Sequence, residues 1–190
     1  MMVAVSAQAV DGYQDTKHEV AIGGGIFPNS ELIDAFTDGL VSGLTLGTVR
    51  YDNEKFVGPV SAEYFYCAKP WLGVGGIFVY THQKEDVLHD GTMQGKQKRH
   101  FFTLMPAVKF DWLRKSRFGL YSKLAVGLTV GAEKFDASAP QANDESDTSV
   151  FMNWQVSLIG IEAGSQCVRG FLELGEGEQG IVLAGVRYKF

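Results

Sequence analysis

Gln179-Gly-Ile-Val-Leu-Ala-Gly-Val-Arg-Tyr-Lys-Phe190 is the stretch that decides the fold. Val182, Ala184, Val186, Tyr188 and Phe190 make one oily edge, and Ile181, Leu183, Gly185, Arg187 and Lys189 make a mixed one. Residues two apart share a face of a β-strand, so the segment reads as a strand with chemically different faces, ending on an aromatic residue.

The same alternation recurs seven more times upstream. Lys17 to Phe27 sets Val20, Ile22, Gly24 and Ile26 against Glu19, Ala21, Gly23 and Gly25. Further strands are expected over 56–68, 71–81, 99–113, 118–133, 149–162 and 167–175. Between them, tight turns at Lys69-Pro70, Arg114 to Arg117 and Ala163 to Gln166 alternate with long connections over 28–55, 82–98 and 135–148. The connection at Glu176-Gly177-Glu178 breaks the rule by being brief. Short turns at one end and loops at the other predict an all-β chain, an eight-stranded antiparallel up-and-down transmembrane β-barrel. An even strand count brings both termini to the short-turn end. Leu32, Ile33, Phe36, Leu40 and Val41 suit a short helix in the first long loop, capped by Asn29 or Ser30.

With 190 residues the chain is one domain in size. Charged residues make up 21%, and no run reaches the roughly 20 apolar residues of a spanning helix, whereas a spanning strand needs only about 9–11. A net charge of -5 argues against nucleic acid, which calls for a clustered basic surface. The run Lys96, Lys98, Arg99, His100 reads as a solvated loop edge. Ala7-Gln8-Ala9 behind a short apolar run resembles the end of an export signal, although the basic start of such a segment is missing. The expected organisation is a signal remnant over 1–9 and one barrel domain over 10–190.

The charged edge of the strands holds Glu19, Glu63, Lys109, Asp111, Lys123, Arg169, Glu173, Arg187 and Lys189. In a soluble carrier this edge would meet water and the oily edge would enclose a cavity. In a membrane barrel the assignment inverts, and the pattern alone leaves both open. Aromatic positions favour the inversion: Tyr66, Phe110, Trp112, Phe118, Tyr188 and Phe190 fall near the short-turn ends, and Tyr80, Phe102, Met152 and Trp154 toward the loop ends. Two such levels suit two headgroup zones. Eight strands leave an interior that side chains can fill, so Glu19, Glu63, Lys109, Asp111, Lys123, Arg169, Glu173 and Arg187 are expected to form a salt-bridged plug. Gly73, Gly75, Gly127 and Gly131 would give the long cations room.

Tyr51-Asp-Asn-Glu-Lys-Phe56, Pro70-Trp-Leu-Gly-Val-Gly-Gly76, Leu104-Met-Pro-Ala-Val-Lys-Phe110, Tyr121-Ser-Lys-Leu-Ala-Val-Gly127 and Gly185-Val-Arg-Tyr-Lys-Phe190 carry a resemblance. With these phrases the chain, from about His18 onward, resembles the small outer-membrane β-barrel family of Gram-negative bacteria. The resemblance implies an outer-membrane location with both termini periplasmic. It also implies a closing strand recognised by the barrel assembly machinery through Val186, Tyr188 and Phe190. Outer-membrane lipid is the other implied partner, and the family brings no shared catalytic residues.

Other chemistry is thin. His82, His89 and His100, with Glu85, Asp86 and Asp90, sit in or beside the second long loop and read as solvated. Asp136, Asp144, Glu145 and Asp147 lack the spacing of a calcium loop, and Gly23-Gly24-Gly25 precedes no phosphate-binding helix. Cys67 and Cys167 match no zinc spacing, and three strand steps separate them, too far for a disulfide. Both are expected as free thiols. No cofactor, metal or catalytic group is expected. The leading functional expectation is a non-enzymatic outer-membrane barrel serving envelope structure or surface contact through its loops. The alternatives are a lipid-modifying outer-membrane enzyme, a narrow channel and a soluble lipocalin-like carrier.

Overall fold

A computed structural model describes residues 16–26, 28, 49–89, 92–137 and 145–190. The strands are β1 (His18–Ile26), β2 (Val49–Lys69), β3 (Leu72–His89), β4 (Thr92–Arg114), β5 (Phe118–Ala137), β6 (Glu145–Gly164), β7 (Val168–Gly177) and β8 (Val182–Lys189). Each pairs antiparallel with its sequence neighbours, and β1 pairs with β8, which closes the barrel. Closure removes the unpaired edges that an open sheet would expose. At the seam the Phe190 carbonyl accepts from the amides of Lys17 (3.1 Å) and His18 (2.9 Å), so the two ends of the described chain meet beside the short turns.

The strand bounds correct several expectations. β2 starts at Val49 rather than Phe56, and the supposed polar loop over 82–98 is mostly the continuation of β3 and β4, paired as far as His89 and Thr92. β5 runs on to Ala137 and β6 begins at Glu145, which narrows the third loop. Polarity misled here because ladder hydrogen bonds join backbones and do not require apolar side chains. β8 begins at Val182, not Gln179. The helix expected around Leu32 to Val41, the signal remnant and most of the first loop lie outside the described residues, as do the side chains of Glu85, Asp86, His89, Asp90, Asp136, Asp144, Glu145 and Asp147.

Bulges set the phase of two walls. β4 carries an extra residue near Trp112–Leu113, where Asp111 pairs with Tyr121 but Leu113 with Leu120. β6 carries another at Leu158–Ile159, seen from both neighbours. An extra residue flips every side chain beyond it to the other face. Arg114 and Glu162, outward by strict alternation, therefore point inward and are buried.

Two of the glycines expected to house long cations serve the wall instead. A Cβ on Gly75 would lie 1.8 Å from the Tyr64 carbonyl oxygen, and one on Gly127 2.0 Å from that of Leu104. Only a residue without a side chain permits such backbone approach where the sheet bends.

Candidate functional site

The barrel is inside out relative to a soluble protein. Among the described residues, 22 polar or charged residues are buried against 11 apolar ones. Val126, Val186, Leu124 and Ile22 are 53%, 55%, 48% and 68% exposed, while Lys123, Glu173 and Arg187 are at most 1% exposed. A water-borne carrier requires the reverse, because apolar area in water costs about 25 cal/mol per Å² and buried charge costs several kcal/mol unless paired. The outer wall is that of a membrane-spanning β-barrel.

Tyr66, Phe102, Phe110 and Trp112 face outward and Tyr80 is partly exposed; Trp154 faces outward too, but its register partner is Val126, which puts it about midway between the levels of Phe102 and Trp112 rather than near the loop ends. Phe102 and Trp112 are ten residues apart on β4. At roughly 3.3 Å per residue and a tilt of about 40°, their levels lie about 25 Å apart, close to the height of a barrel's apolar band. Near the loop end the Tyr80 and Phe102 rings lie 5.2 Å apart. At the seam His18 stacks on Phe190 at 5.3 Å, Phe190 on Tyr188 at 5.7 Å, and His18 Nδ1 lies 2.9 Å from the Tyr64 hydroxyl.

Inside, Lys109, Arg114, Lys123, Arg169, Arg187 and Lys189 face Glu19, Glu63, Asp111, Glu162, Glu173 and Glu178, all buried, while the buried Arg99 pairs at 3.6 Å with the part-exposed Glu133, so seven positive charges meet seven negative ones. Arg187 is the centre. Its Nη1 donates to Glu162 at 2.9 Å and its Nη2 to Glu63 at 3.2 Å, with Glu173 at 3.7 Å and Glu19 at 3.8 Å. Its guanidinium also lies over the rings of Tyr121 (4.6 Å) and Phe171 (4.9 Å). Lys123 bridges Glu63 (2.5 Å) and Glu173 (2.8 Å), and Lys109 bridges Glu19 (2.5 Å) and Asp111 (3.2 Å). Lys189 reaches Glu19 at 3.1 Å and also pairs with Glu162. Tyr121 and Ser157 hydroxyls donate to Glu173, at 2.7 Å and 2.5 Å.

Arg169 ties the network to the short-turn end: Nη1 donates to Glu162 at 2.7 Å, and Nη2 donates to the carbonyls of Lys115 (2.8 Å) and Ser116 (3.1 Å). Such a network is tolerated in a dry interior because nearly every charge meets an opposite charge or a hydrogen-bonding group.

A second layer fills the lumen toward the loops. The β7–β8 connector turns inward, and Glu178 and Gln179 are 0% exposed. Glu178 accepts from Asn153 Nδ2 (2.7 Å) and from the Thr103 hydroxyl (3.3 Å). Gln179 donates through Nε2 to Ser61 (2.9 Å) and Glu63 (2.8 Å), and its amide donates to Gln155 Oε1 at 2.7 Å. Gly180 makes the path feasible: its φ is +100°, and a Cβ there would lie 2.3 Å from the Ile26 carbonyl oxygen.

Sequence reasoning placed the eight lumen charges on the inward edge but missed Arg114, Glu162, Glu178 and Gln179. A signal for Glu162 existed, because two consecutive apolar residues, Leu158-Ile159, followed by Gly160, Ile161 and Glu162 mark a phase change. Cys67 and Cys167 are free. His82 and His100, expected in or beside a loop, oppose each other on β3 and β4 with rings 4.3 Å apart, and His100 Nδ1 lies 3.0 Å from the Tyr80 hydroxyl. Among the described residues no cluster of three or more His, Cys, Asp or Glu could hold a metal.

Two solved structures of Ail, the attachment invasion locus protein of Yersinia pestis, have a similar shape. One is a crystal structure of Ail (TM-score 0.48) and the other is of Ail in complex with the heparin analogue sucrose octasulfate (TM-score 0.47). Each is 14% identical, with 92% of this chain and 97% of that chain covered. No protein-family model and no curated protein matches the chain.

Proposed function

We propose that this chain is a non-enzymatic barrel of the Gram-negative outer membrane, closed to solutes, that serves envelope structure or surface contact through its loop end. The single observation that supports this reading most is the inverted wall around a charge-balanced, hydrogen-bonded filling. An apolar exterior suits lipid, and among the described residues a lumen packed with paired charges and an inward-folded connector suits a barrel closed to solutes. The termini belong at the periplasmic end, where the short turns lie.

Val186, Tyr188 and Phe190 stay outward on the closing strand, available as the contact with the assembly machinery before the seam closes. Membrane fractionation of cells making the full chain, with gel mobility compared before and after boiling, tests the reading. The expected result is recovery with the outer membrane and a heat-dependent shift. Recovery in the soluble fraction, or an unchanged mobility, overturns it.

A further inference from the structure

The bulges in β4 and β6 flank β5 at one level, and between them the outer wall opens a notch of about 300 Å³ lined by Trp112, Leu120, Tyr121, Ser122, Leu158 and Ile159. Its size lies at the lower end of the range for small-molecule sites, about 300–1,000 Å³. Trp112 Nε1 donates to Ser122 Oγ at 2.9 Å, and Ser122 donates to the Leu158 carbonyl at 2.6 Å, so these polar atoms of the notch satisfy one another and need no water.

Directly below lies the β4–β5 turn, where Lys115 and Arg117 are exposed and, among the described residues, paired with no carboxylate. The turn is a firm platform: the Lys115 amide donates to the Phe118 carbonyl, Arg169 grips its carbonyls from inside, and the Gly164 amide donates to the Arg117 carbonyl. The exposed charged side chains described at this end, Lys17, Lys69, Lys115 and Arg117, are all cationic.

We propose that the notch and this turn together form a binding site for one anionic glycerophospholipid, with an acyl chain in the notch and the phosphate between Lys115 and Arg117. The dimensions agree. Arg117 and Leu120 are three residues apart, about 10 Å along a strand and about 8 Å along the membrane normal after tilt. The headgroup zone on each side of the hydrocarbon is roughly 5–8 Å deep. The charge selects an anionic over a zwitterionic lipid, and the inference rests on the membrane-spanning reading above.

Native mass spectrometry of the full chain, released from vesicles of phosphatidylethanolamine in molar excess over phosphatidylglycerol, tests it. One phosphatidylglycerol should be retained per barrel, enriched over its share of the vesicle. Each near-surface cation is worth about fivefold toward an anionic surface, so Lys115→Ala/Arg117→Ala should cut the enrichment roughly 25-fold. Leu158→Trp, which fills the notch from a lipid-facing position, should reduce retention while leaving the heat-modifiable fold intact. Three results would overturn the proposal: equal retention of both lipids, an unchanged enrichment in the double variant, or a second copy of the chain held at the notch and lost in Leu158→Trp. A chain that inserts and shifts on boiling but shows no lipid preference defeats this inference alone, whereas a chain that never inserts defeats the function proposed above.

Discussion

The Arg187 guanidinium lies 4.6 Å from the centre of the Tyr121 ring, and the Tyr121 hydroxyl donates at 2.7 Å to Glu173, itself 3.7 Å from Arg187. Ring, cation and carboxylate thus hold one another across the lumen, from β5, β7 and β8. Gly160 makes this feasible, since a Cβ there would fall 2.4 Å from Tyr121 Cζ.

Arg187→Leu should be the most damaging lumen substitution. It leaves Glu19, Glu63, Glu162 and Glu173 short of their shared cation, and stranding buried charge costs about 3–5 kcal/mol. Urea unfolding in lipid vesicles should show that loss. Arg187→Lys should recover only part of it, because an ammonium cannot reproduce the planar fork or the stacking on Tyr121 and Phe171.

Depth on the outer wall should be readable in energy. Val126 lies midway along the apolar band and Val130 is paired with Phe102 near its edge. Val126→Arg should cost about 2–4 kcal/mol and Val130→Arg about 0–1 in vesicle-based unfolding. Near-equal small effects at both sites, within roughly 0.5 kcal/mol as at an exposed site in water, would contradict a lipid-facing wall.

The inward connector should be displaceable without unfolding the barrel. Gly180→Val forces a side chain into the Ile26 backbone at a positive φ, costing about 1–3 kcal/mol. Thr103 is 0% exposed beneath Glu178. In a background with Cys67→Ser and Cys167→Ser, Thr103→Cys should react slowly with a water-soluble maleimide, and adding Gly180→Val should speed the reaction. Equal rates would show that the connector does not seal the upper lumen.

Ser122→Ala should destabilise by about 1–3 kcal/mol despite removing one outward hydroxyl, because the Leu158 carbonyl and the Trp112 indole would both lose their partner beside lipid. Ser122→Thr should restore most of the loss, as followed by the unfolding midpoint.

Alternation, with the order of short turns and long connections, made the strand count, the antiparallel order and the sharing of one face by Glu19, Glu63, Lys109, Lys123, Glu173 and Arg187 legible. A strand's side-chain period is locally encoded, and the oily and ionic edges of each strand differ enough to be read one strand at a time. Three things were decided only by tertiary structure. The bulges at Trp112–Leu113 and Leu158–Ile159 turned Arg114 and Glu162 inward, since phase past a bulge depends on which neighbour each residue opposes. The stretch Glu178 to Gly180 became a plug rather than strand, since its hydrogen-bond partners, Ser61, Thr103, Asn153 and Gln155, lie 24 to 118 residues away. The choice between an oily inside and an oily outside was settled when closure buried the cations and carboxylates against one another and left Leu124, Val126 and Val186 exposed. Local pattern names two faces, and only the closed wall determines which one encloses the axis.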